Sequence, residues 1–152
     1  MNSNIKNMKM EDVKIHVKLK LSALWVAVTF LYVYADVRAF YEPGVIEQIM
    51  EGEFANVGIT TTQAVLFGLI TMTPPSVMVF LSLLLKPKVN RWVNIILGIF
   101  YTVVVLTTQF GLIMDTSANF LYSGIVEVVL TALIVWYALK WPKQEAQVNV
   151  RA

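Results

Sequence analysis

The chain has 152 residues, of which 57% are hydrophobic and 14% charged, and its mean hydropathy is +0.65. A soluble domain carries roughly 25% charged residues, so this composition excludes one and implies an all-α, polytopic membrane protein. The net charge of +2 is too mild for a nucleic-acid binder, and zero cysteines exclude disulfide exchange, thiolate metal sites and cysteine nucleophiles.

Residues 1–20 form a basic leader, 21–141 a single four-helix membrane domain and 142–152 a tail. The leader holds Glu11 and Asp12, and the apolar run after it exceeds the roughly 7–15 residues of a signal-peptide core, so the segment is expected to be retained. Within it, VKIHVKLKL (residues 13–21) alternates with the period of a strand. A lone strand at a membrane would leave its backbone groups unpaired, which favours a helical or irregular interfacial approach with snorkelling lysines. His16, the single histidine, has no neighbour to complete a coordination shell and reads as a solvated or headgroup-facing side chain.

The first span covers about 21–41 and ends TFLYVYADVRAFYEPG (residues 29–44). Residues two apart on a helix point about 200° apart, so Asp36 and Arg38 occupy different faces. Arg38 can pair with Glu42 one turn on and reads as an interfacial anchor. Asp36 is too short to snorkel and lies one turn beyond Tyr32, on a stripe running back through Trp25, a face expected to turn inward. The loop 42–62 contains EPGVIEQIMEGEF, where Pro43, the apolar Val45, Ile46, Ile49 and Met50, and Gly52 suggest a short amphipathic helix. It is either a surface connector or a lid.

The second span, about 63–85, opens with Gln63 and carries TMTPPSVM, with Pro74 and Pro75 in mid-span. The two missing donors free carbonyls near Ile70 and Thr71, so a kinked helix is expected unless Thr71, Thr73, Ser76 or water satisfies them. Such a break is either a packing kink or a source of carbonyls for a bound ion or solute. The third span, about 92–113, presents Gln109 and Thr102 on one face and Tyr101, Thr108 and Asp115 on another. The fourth, about 119–140, repeats Ser123, Glu127 and Thr131 every fourth residue, with Glu127 about 12 Å from the helix end. A central acid costs a few kcal/mol to insert, so Glu127 should face the interior and be protonated, hydrogen-bonded or matched to a cation.

Eleven of the 12 basic residues precede the first span, join the second to the third, or follow the fourth, and Arg38 alone is on the other side. The positive-inside rule then places both termini in the cytoplasm and the 42–62 loop outside. The candidate site is a polar pocket opening outward: Tyr32 and Asp36 above, Glu127 deeper beside Ser123, Gln63 and Gln109 at the rim, and Thr71, Pro74 and Pro75 opposite.

The segments KLSALWVAVTFLYVYADV (residues 20–37) and NRWVNIILGI (residues 90–99) resemble a family of small, uncharacterised bacterial four-span membrane proteins, a likeness covering about residues 18–140. It implies a bacterial inner membrane and the same bundle, and brings no established activity. More distantly, the size and spans are similar to DoxX-like proteins and to small multidrug resistance transporters. The latter hold their essential acid in the first span, whereas the mid-span acid here is in the fourth.

Two classes of function follow. The first is binding or transport of a proton, cation or small amphipathic solute at Glu127 with help from Asp36. The second is a non-catalytic subunit of a membrane complex, in which the polar groups specify packing with a second copy or another membrane protein. An enzyme ranks third, because no nucleophile arrangement accompanies the carboxylates. No cofactor or metal is expected; the partners are lipids and a small solute or cation, with no nucleic acid.

Overall fold

The computed structural model describes residues 14–54, 59–109 and 118–142, with backbone alone at 53, 54, 59, 108, 109 and 118–120. Asp115, the Gln109 side chain, most of the leader and most of the tail therefore lie outside the described residues. Among the described residues five helices make the fold all-α, and four of them are long and apolar enough to cross a membrane.

Helix α1, Val17–Ala39, contains neither glycine nor proline. His16 is its exposed N-cap, with Nδ1 accepting from the Lys18 amide at 3.3 Å. The helix thus starts inside the alternating stretch, four residues before the apolar span was expected. The reason is Lys18: its Nζ donates to the carbonyls of Leu83 at 3.0 Å and Leu85 at 2.8 Å, neutralising the open end of another helix. Helix α2, Val45–Met50, is the short helix of the loop and is bounded by Gly44 at φ 83° and Gly52 at φ 84°, values that favour glycine. The strands β1, Glu53–Phe54, and β2, Ile59–Thr60, then pair antiparallel, a two-residue ribbon with no periodic signal in the sequence.

Helix α3, Thr61–Leu84, opens with a capping box: Thr60 Oγ1 accepts from the Gln63 amide at 3.3 Å, and Gln63 Oε1 accepts from the Thr60 amide at 3.0 Å. Helical backbone continues through Pro74 and Pro75 to Leu84 without an interruption. Lys86 precedes Pro87, and proline disfavours helix in the residue before it while suiting the first turn of the next. Helix α4 accordingly begins at Pro87 and runs to Gln109, and α5 covers Ala118–Leu139.

In the bundle α1 packs on α3 and α5, and α5 packs on α4; α3 and α4 make little contact despite their short connection. The shared core joins Leu21, Trp25 and Val28 of α1, Met78 of α3, Tyr101 of α4 and Ile134 of α5. Ser22 Oγ ties α1 to the Val79 carbonyl of α3 at 2.8 Å. Around this core Phe30, Phe67, Phe80, Phe100 and Trp136 face outward, as the exterior of a lipid-embedded bundle would require. At the basic end, Lys20 Nζ lies 5.1 Å from the Tyr137 ring centroid and Lys140 Nζ 3.8 Å from that of Trp136.

Helices α4 and α5 meet closely at Gly98, where an added Cβ would stand 2.7 Å from Val135 Cγ2 and 3.4 Å from the Thr131 carbonyl. Val135 is stiff at χ1 and cannot easily yield. Gly98→Ala should therefore destabilise the protein by about 1–3 kcal/mol. Gly68→Ala, with nothing within 4 Å of its Cβ position, should be neutral or stabilise by up to about 1 kcal/mol. Unfolding both variants in one detergent mixture checks the pair; equal midpoints would contradict the close approach.

Candidate functional site

Ser123, Glu127 and Thr131 share one face of α5, and that face turns into the bundle. Glu127 is 6% exposed and Thr131 fully buried. Thr131 Oγ1 is 3.0 Å from the Glu127 carbonyl and 2.8 Å from Thr102 Oγ1 of α4, so the hydroxyls below the acid serve α5 and its contact with α4.

Across from Glu127, α1 supplies Tyr32, whose hydroxyl adjoins the carboxyl group, and α4 supplies Tyr101 close to it. The two phenol rings have centroids 6.1 Å apart, and the Trp25 ring stands edge-on to Tyr101 at 6.1 Å. Glu127 Oε1 is fully enclosed and has no hydrogen-bond partner among the described residues. Buried carboxylate oxygens are rarely left so, because an orphaned acceptor forfeits its hydration with nothing in return.

Tyr101 extends this cluster to α3. Its hydroxyl donates to the Thr71 carbonyl at 2.6 Å. Thr71 is four residues before Pro75, so this is a carbonyl that the proline ring leaves without its ladder donor. The Thr71, Thr73 and Ser76 hydroxyls instead bond carbonyls of their own helix, at Phe67, Leu69 and Met72. Tyr101→Phe should cost about 0.5–2 kcal/mol by orphaning Thr71 O, and less than that in a Pro75→Ala background, where the backbone donor returns. Equal losses in both backgrounds, measured by unfolding, would show that the hydroxyl does not substitute for the missing amide.

Arg38 differs from the local pairing expected with Glu42. It turns to α5, where Nη2 stands 3.5 Å from Ser123 Oγ, one turn from Glu127. The antiparallel crossing of α1 and α5 brings the guanidinium there, whereas a pattern within one helix can only propose partners on that helix.

Asp36 does not join this cluster. It is exposed and lines a separate groove of about 600 Å³ with the end of α1, the α2 residues Val45 and Ile49, and one face of α3. The single pocket expected for Asp36 and Glu127 is thus two places, an enclosed cluster within α1, α4 and α5 and an open groove between α1, α2 and α3. Gln63 caps its own helix, Pro75 is buried against the core side of α3, and Pro74 is half-buried.

A further polar network has no counterpart in the expected site. Trp25 Nε1 donates to Asn94 Oδ1 at 2.7 Å, Asn94 Nδ2 to Asn90 Oδ1 at 2.6 Å, and Asn90 Nδ2 to the Ser82 carbonyl at 2.5 Å. All four residues are fully buried. The signal available was the spacing of Asn90 and Asn94, one turn apart on α4. No group of three or more His, Asp or Glu among the described residues is arranged to hold a metal ion.

One family model matches residues 8–148, described as a family of unknown function, DUF6326. No curated protein matches the chain. No solved structure matches it either.

Proposed function

The chain belongs to DUF6326, which supplies no activity, and from the enclosed carboxyl cluster we propose a multi-pass membrane protein that takes up a proton or small cation at Glu127. The observation that carries this reading is Glu127 Oε1, an enclosed acceptor without a partner among the described residues. A proton or a desolvated cation would satisfy it, with the Tyr32 hydroxyl as a second ligand or relay. Arg38 and Ser123, one turn away, lie between the carboxyl group and the α2 end of the bundle.

The resemblance to small bacterial four-span proteins favours an inner membrane, and the basic residues favour both termini cytoplasmic with α2 outside. The distant likeness to DoxX-like proteins fits the same placement. A bend of α3 at Pro74 and Pro75, held by the Tyr101 hydroxyl, would let a change at Glu127 reach α3 through the touching phenols.

The second reading, a non-catalytic subunit, is favoured by the Trp25, Asn94 and Asn90 chain, in which buried polar groups are paired and act as packing contacts alone. Reconstituted vesicles with a trapped pH dye separate the two. Under an inside-negative potassium diffusion potential, the protein should admit protons faster than empty vesicles, and Glu127→Gln should return the rate to the empty level. Wild type and Glu127→Gln both matching empty vesicles, with no proton release on adding sodium or potassium, would sink the transport reading.

A further inference from the structure

The groove beside Asp36 is separate from the Glu127 cluster, and its polar atoms share one property. The Thr73 hydroxyl donates to the Leu69 carbonyl at 2.6 Å and that of Ser76 to Met72 at 2.9 Å. Each hydroxyl hydrogen is directed to backbone, so these side chains present only lone pairs to a guest. Among the described residues, Asp36 is the one ionisable group of the lining, an acceptor too when charged, and no lysine, arginine or histidine lines the groove. The remaining wall is apolar: Val45 and Ile49 of α2, Ala39 of α1, Ala64 and Gly68 of α3. Small residues give it depth, and the Cβ position of Gly68 opens onto empty space. Its volume of about 600 Å³ is that of a small-molecule site.

We infer that this groove binds a cationic amphiphile, an apolar chain or ring system ending in a protonated amine that pairs with Asp36. A wall of acceptors repels anions and gives a zwitterionic headgroup's phosphate no donor, whereas an ammonium supplies both charge and donors. Within a membrane the apolar body gains little over lipid itself, so the charge at Asp36 decides which guest is held. This inference rests on reading the four long helices as spans and does not require Glu127 to move protons.

The chain has no cysteine, so Ala39→Cys in the full-length protein places one thiol on the groove wall. In neutral lipid nanodiscs, dodecylamine should slow its maleimide labelling, while dodecanol and dodecylphosphocholine at equal concentration should not. Adding Asp36→Asn should raise the half-protecting dodecylamine concentration about tenfold. Gly68→Phe, which fills the groove and leaves Asp36 in place, should abolish protection and keeps the test decisive if Asp36→Asn does not fold. Equal protection by dodecanol or dodecylphosphocholine would identify a lipid-filled groove and overturn the inference, as would protection unchanged by both variants.

Discussion

Trp25→Ala should lower stability by about 3–5 kcal/mol. Trp25 is fully buried in α1, sits edge-on to Tyr101 and donates to Asn94 at 2.7 Å. Truncation opens a cavity where α1, α4 and α5 converge and leaves Asn94 Oδ1 without its donor. For helices that span a lipid bilayer, such a loss would arise from forfeited packing contacts more than from water. Trp25→Phe retains a ring and removes only the N–H, so it should cost about 1–3 kcal/mol. Unfolding in mixed micelles, followed by circular dichroism, measures both; a Trp25→Ala midpoint equal to wild type would mean that Trp25 is not seated against Tyr101 and Asn94.

Glu127→Met should act in the opposite direction and raise stability by about 1–3 kcal/mol. It replaces an enclosed carboxyl group, one oxygen of which has no partner among the described residues, with an apolar side chain of similar length. The same variant should lose proton entry in vesicles, so stability and activity should separate. Packing glue makes the contrary demand: removing it would loosen α1 and α5 and lower the unfolding midpoint. A Glu127→Met protein less stable than wild type would therefore favour the structural role.

The four long helices were legible because their apolar runs carry the length of a span. The inward turn of Glu127 was legible as well, since Ser123, Glu127 and Thr131 recur on one face and lipid tolerates no central acid. Arg38 was not, because its partner Ser123 is on α5, and helix-local spacing points to Glu42 instead. Asp36 follows Tyr32 on the same stripe, but at that end small residues on α3 open a groove beside α1, so a shared stripe did not mean a shared pocket. Gln63 was readable in principle: Thr60 and Gln63 have capping-box spacing, and bounding the span at 63 separated the pair. The Tyr101 bond to Thr71 joins residues 30 apart and depends on how two helices lean together, which no local periodicity encodes.

The Lys18 bonds to Leu83 and Leu85 have a bearing on how the protein is made. The ammonium and its acceptors are 65 and 67 residues apart in the chain, so the clasp cannot close until α3 has been synthesised through its last turn. During translation α1 waits with an uncommitted lysine at its entrance. Arrival of Leu85 then joins α1 to the α3–α4 turn. A nascent chain stalled before that point should remain extractable or open to quality-control proteases, and release of a chain reaching past Leu85 should mark the onset of resistance.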